Sequence, residues 1–85
     1  MNSRALLRRL AGGNLANIRS DDLRRLLGDL GFERVRMRGS HEIYAHPAIA
    51  ELVNLQDVHG QAKPYQLRQL LRLIERYDLQ LEERR

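Results

Sequence analysis

The sequence predicts an α+β domain, a three-stranded antiparallel sheet with helices on one face. Three observations predict it. Leu23, Leu26, Leu27 and Leu30 recur at the spacing of one helical face behind Ser20-Asp21-Asp22. Arg34-Val35-Arg36-Met37-Arg38 alternates with period two, breaks at Gly39-Ser40, and resumes through Ile43, Tyr44 and Ala45, the pattern of a hairpin. A second apolar stripe, Leu67, Leu70, Leu71, Ile74 and Tyr77, follows Pro64, a residue pre-set for the first turn of a helix.

In chain order, Ser3 to Ala11 reads as a short helix with Leu6, Leu7 and Leu10 inward, ended by Gly12-Gly13. Asn14 to Arg19 is a connector. Ser20 suits an N-cap, and the two acids after it favour the positive end of the helix dipole. Gly31 supplies the left-handed residue that stops this helix, and Phe32 leads into the hairpin. Pro47 closes the second strand, because it has no N–H for the ladder. Glu51 to Gln56 reads as a third strand with Val53 and Leu55 inward, Asp57 to Ala62 as a loop carrying His59, and Asp78 to Arg85 as a fraying tail in which Leu79 and Leu81 can dock. The order is a short helix and then α-β-β-β-α.

The hairpin's register follows from its apolar residues. A two-residue Gly39-Ser40 turn puts Val35 and Met37 on the same face as Glu42 and Tyr44. A three-residue loop, Gly39-Ser40-His41, gathers Val35, Met37, Ile43 and Ala45 on the core face instead. A slip of one residue moves every side chain to the other face, so the three-residue loop is expected. It leaves His41 unpaired at the tip, beside a face carrying Arg34, Arg36 and Arg38. On spacing alone, a solvated turn histidine looks the same.

Eighty-five residues make a single domain, 1–85, with a small core. The chain has no cysteine, which excludes a disulfide framework and a thiolate metal site. The apolar run near the start is short and interrupted by arginine, unlike a signal peptide, and no stretch is long enough for a bilayer, so no membrane is expected and the location expected is cytoplasmic. Net charge is +4 and the pI about 10.3, mostly from arginine. A guanidinium fork suits phosphate, which makes nucleic acid the first candidate partner and an acidic protein the second. The spacing of His41, His46 and His59 fits no zinc pattern; neither metal nor cofactor is expected.

Four ordered motifs resemble one family: Leu26-Leu27-Gly28-Asp29-Leu30-Gly31-Phe32; Arg36-Met37-Arg38-Gly39-Ser40-His41-Glu42-Ile43-Tyr44; Asn54-Leu55-Gln56; and Ala62-Lys63-Pro64-Tyr65-Gln66-Leu67-Arg68-Gln69. Together, over residues 14 to 79, they resemble the HicA toxins of bacterial toxin–antitoxin systems, in a branch with an N-terminal extension. The division implied is an extension at 1–19, a core at 20–78 and a tail at 79–85. The resemblance implies a fold like the double-stranded-RNA-binding domain, an mRNA endonuclease activity, and neutralisation by a HicB-type antitoxin. It also implies that His41, the histidine after Gly-Ser, is the functional residue. Glu42 departs from the many members that carry a second histidine there.

Cleaving RNA by proton transfer needs a base for the 2′-OH, an acid for the leaving oxygen, and positive donors for the phosphorane. Histidine titrates near neutrality and can serve as either acid or base, so His41 is the catalytic candidate. Arg36 and Arg38 would neutralise phosphate, with Ser40 beside them in the bend. The second proton-transfer group stays open among Glu42, His46, His59, Lys63 and Tyr65. Lys63, Tyr65, Gln66 and Gln69 cluster at the start of the last helix, where free N–H groups bind phosphate, an aromatic ring can stack a base and glutamines can read base edges. Two alternatives share the same residues, a non-catalytic RNA-binding module and a protein whose basic face only docks a partner.

Overall fold

Helix α1 (Ser3–Ala11) starts where Asn2 Oδ1 accepts the Ala5 N–H at 2.8 Å, an N-cap. Its Leu6 and Leu10 are buried against the rest of the core, so the N-terminal segment is an integral third helix. The structure, a computed structural model, describes residues 1–82. Residues 83–85, part of the expected tail, lie outside the described residues.

Helix α2 (Ser20–Asp29) has its cap one residue earlier than expected. Arg19 takes the cap position, and the Ser20 hydroxyl is spent on a hydrogen bond to Asp57 Oδ1 in the loop before the last helix. Asp21 and Asp22 remain in the first turn, where their charge favours the dipole. At the other end Phe32 N–H donates to Leu27 O at 2.9 Å and Gly31 N–H to Gly28 O at 3.0 Å, a Schellman motif. Gly31 has φ +98°, and a Cβ there would lie 2.9 Å from His46 Nε2, so both conformation and space require glycine.

Strands β1 (Glu33–Arg38), β2 (His41–Ala45) and β3 (Val53–Gln56) form an antiparallel sheet in the order β1-β2-β3. The hairpin closes with two residues, not three: Arg38 pairs His41, Met37 pairs Glu42 and Arg36 pairs Ile43. Gly39, at φ +61°, is the first central residue of the turn, the position at which a II′ turn demands glycine. A bulge at Val35 then shifts the register, so that Arg34 pairs Tyr44. The expected core face is thereby overturned. Val35 and Met37 are 58% and 55% exposed, whereas Glu42 and Tyr44 are 3% and 7% exposed. Turn chemistry prevailed over apolar pattern because β1 is an edge strand exposed along its whole length, so its register costs the core nothing.

Helix α3 (Pro64–Tyr77) buries Gln66, Leu67, Leu70 and Leu73. The inward face is rotated from the expected one: Leu73 belongs to the core, and Leu71, Ile74 and Tyr77 line its border. Val53 and Leu55 of β3 point inward as expected, at 2% and 0% exposure. The third strand is shorter than expected, beginning at Val53; Leu52 is exposed. Helices α2 and α3 cover one face of the sheet, and α1 packs against both. Of the expected tail, residues 79–82 are docked, with Leu79 and Leu81 against the core border as expected and Glu82 N–H donating to Asp29 O.

Candidate functional site

Strand pairing sorts the middle of the sheet into two rows. On the uncovered face, Arg38, His41 and Gln56 stand side by side, and Arg36, Ile43 and Asn54 form the neighbouring row. On the helix-covered face lie Glu42 beside Leu55 and Tyr44 beside Val53. His41 is therefore not a loop residue. It is the first residue of β2, half-buried, with its Nδ1 3.0 Å from Asn54 Oδ1 across a diagonal of the sheet. Arg38 faces it directly from β1 and Arg36 lies one row further in, both exposed. Ser40, exposed in the turn, accepts the Asp57 N–H through its carbonyl, and Asp57 holds Ser20. The tip carrying His41 is thus tied to the start of α2.

Glu42, one residue away, faces the opposite way and is fully engaged. Arg24 of α2 donates through Nε to both carboxylate oxygens at 3.1 Å and through Nη2 to Oε2 at 2.6 Å. The Tyr44 hydroxyl donates to Oε1 at 2.8 Å, and Arg34 stands 3.8 Å away. Hydrogen bonds from Arg24 lead in holding the Glu42 carboxyl below the usual carboxylate range. Burial, and then the neighbouring carboxylate, push the Tyr44 hydroxyl up to about 12. A buried, deprotonated carboxylate with its lone pairs taken has no proton to exchange with RNA. Glu42 is a structural residue in this chain.

His46 is likewise committed. Its Nδ1 accepts the Ala48 N–H at 3.0 Å, so the ring proton sits on Nε2 and is donated to Leu30 O at 3.0 Å. Phe32 packs edge-on against it, with 5.1 Å between ring centroids. His59 occupies a tight two-residue turn with Gly60, both at positive φ, between Val58 and Gln61, and is exposed.

The expected cluster at the start of α3 divides. Tyr65 is 51% exposed and Lys63 half-buried in the cap position. Gln66, expected to read base edges, is instead 2% exposed: its Oε1 accepts the Lys63 N–H at 3.4 Å, while its own backbone N–H donates to Lys63 O at 3.0 Å. That reciprocal pair caps the helix. Gln69 lines a shallow cleft with Arg72, Glu75 and Arg76 along α3 itself. The fold brings Arg38 beside His41 in its own row and Arg36 into the next; it puts Gln66 and Gln69 on the helical layer instead.

Two residues of the uncovered face, Asn54 and Gln56, were read in the sequence only as part of a family motif and not as site residues. The signal was present, since Val53 and Leu55 inward force Asn54 and Gln56 outward. Arg24 had no such signal, because its partner lies 18 residues along the chain on another element.

A family model, that of the HicA toxin of bacterial toxin–antitoxin systems, matches residues 20–75, well over half of the chain. The chain belongs to the HicA toxin family. The match covers α2, all three strands and nearly all of α3, so it spans every residue of the histidine-bearing face of this HicA chain. Helix α1 precedes the matched region. No curated protein and no solved structure matches. As a HicA-family chain it is the toxin of a toxin–antitoxin pair, with an antitoxin as partner. Among the described residues, no helix is long and apolar enough to cross a membrane, and no three His, Asp or Glu side chains group as metal ligands would.

Proposed function

We propose that this HicA chain cleaves mRNA at the uncovered face of its sheet, with His41 as general acid–base and Arg36 and Arg38 as phosphate donors. One observation carries the reading: the His41 ring is held through Nδ1 to Asn54 while Arg38 stands directly opposite on β1. That leaves Nε2 for the substrate. The 2′-oxygen attacks the adjacent phosphorus as its proton passes to Nε2, a phosphorane forms under the two guanidinium groups, and the P–O5′ bond breaks as the 5′-oxygen takes a proton. With Glu42 and His46 committed elsewhere, His59, Lys63 and Tyr65 remain the candidates for supplying that second proton. Ser40 and the exposed Tyr65 suit contacts to the strand, by hydrogen bonding and stacking. A HicB-type antitoxin would neutralise the chain most simply by covering His41 and the arginines.

The test is induced expression of wild type against His41→Ala in a bacterium, following growth and RNA integrity, with cleavage by the purified proteins alongside. His41→Ala lowers cleavage about 10²–10⁴-fold, the usual loss of one general acid or base, with the fold retained. Purified chain with His41 intact that leaves an mRNA transcript whole across buffers overturns the enzyme reading.

A further inference from the structure

We infer that Asn54 is a positioning residue for His41, fixing its ring and its tautomer so that Nε2 carries the reactive lone pair. The inference deepens the nuclease reading above and rests on it. Asn54 Oδ1 lies 3.0 Å from His41 Nδ1. A carbonyl oxygen has only lone pairs to offer, so the shared proton belongs to the imidazole. In the neutral ring that places the proton on Nδ1 and strips it from Nε2. A histidine on a strand without such a partner turns about its χ2 angle and distributes its proton over both nitrogens.

The support for Asn54 is rigid. Its neighbours in β3, Val53 and Leu55, are 2% and 0% exposed, and Asn54 itself pairs with Ile43 in the ladder. Its backbone therefore moves only with the core. Its side chain is exposed, so replacing it leaves no hole in the interior.

The amide is also neutral, and that matters for the neighbourhood. From β1 the charged groups facing the ring are Arg38 and, one row on, Arg36; from β3 only the uncharged Asn54 and Gln56 face it. The nearest acids in sequence are occupied, Glu42 on the covered face and Asp57 with Ser20. A carboxylate at position 54 would hold the ring as well as the amide does but would favour imidazolium, leaving less free base near neutral pH.

The experiment uses the full chain labelled with ¹⁵N, reading the His41 ring by long-range ¹H–¹⁵N correlation, and cleavage of an in vitro transcribed mRNA across pH. Expected are the Nδ1–H tautomer in wild type, its loss in Asn54→Ala, and a kcat about 10–10²-fold lower in that variant with KM little changed. Asn54→Asp keeps the Nδ1–H tautomer but moves the acid limb of the rate profile, and the ring titration with it, up by about one pH unit. An Nε2–H tautomer in wild type overturns the inference, as does an Asn54→Ala protein with unchanged tautomer, kcat and pH profile. The spectra need no RNA. A wild type that cleaves nothing therefore removes the nuclease reading, while the ring signals still decide what Asn54 does.

Discussion

His41 and Glu42 are adjacent in one strand and live in opposite chemical conditions. On the uncovered side, a half-exposed imidazole has one neutral hydrogen-bond partner, Arg38 beside it in its own row and Arg36 in the next. On the covered side, a carboxylate at 3% exposure takes hydrogen bonds from Arg24 and Tyr44. The strand's two-residue period alone separates them. A group becomes available for chemistry by being held but not saturated; a saturated group contributes to folding instead. Position 42 is thereby part of the frame behind His41.

The contrast can be broken most severely from the Arg24 side. Arg24→Ala leaves a buried carboxylate without its main partner and costs about 3 kcal/mol, a fall in Tm on the order of 15 °C by calorimetry. Cleavage per folded molecule should be unchanged, because the disrupted pair lies on the face opposite His41. An equal loss of rate and stability would merge the two faces into one unit.

Acid acts on the same pair with a defined sign. The folded Glu42 carboxyl titrates below its unfolded value, so its contribution is fully present above the ordinary carboxylate range and is lost as pH falls through the folded value. Chemical denaturation at pH 7 and pH 3 should show this loss, and Glu42→Gln should flatten it. At the alkaline end Tyr44 behaves in the opposite sense. Its hydroxyl is raised from 10.0 to about 12, so the neutral form's contribution is present below 10.0 and drains away as pH rises between those values. Tyr44→Phe removes that alkaline decline and costs about 1 kcal/mol near neutrality, the worth of one hydrogen bond.

The smallest change in stability is expected at the residue proposed to carry the activity. His41→Ala should alter unfolding free energy by less than about 1 kcal/mol, since it removes one half-exposed hydrogen bond. A thermal shift comparable to that of Arg24→Ala would make His41 a structural residue like its neighbour.

Much of this was written locally. The leucine stripes, the glycine after α2 and the proline opening α3 carry their own conformational preferences, so the element order and most helix ends were legible residue by residue. The Gly39-Ser40 turn was also legible, through glycine's place in a II′ turn, but Val35 and Met37 argued against it and the sequence does not state which strand lies at an edge. Only assembly answers that. Once β1 lies at the margin with no helix above it, its apolar residues carry no weight in choosing the register. The same holds for the site. The sequence singled out His41 and the flanking arginines, whereas the partners that decide what each group can do, Asn54 for His41 and Arg24 for Glu42, come from other elements. Hydrogen bonds between distant segments depend on where folding puts them, and no local pattern encodes that distance.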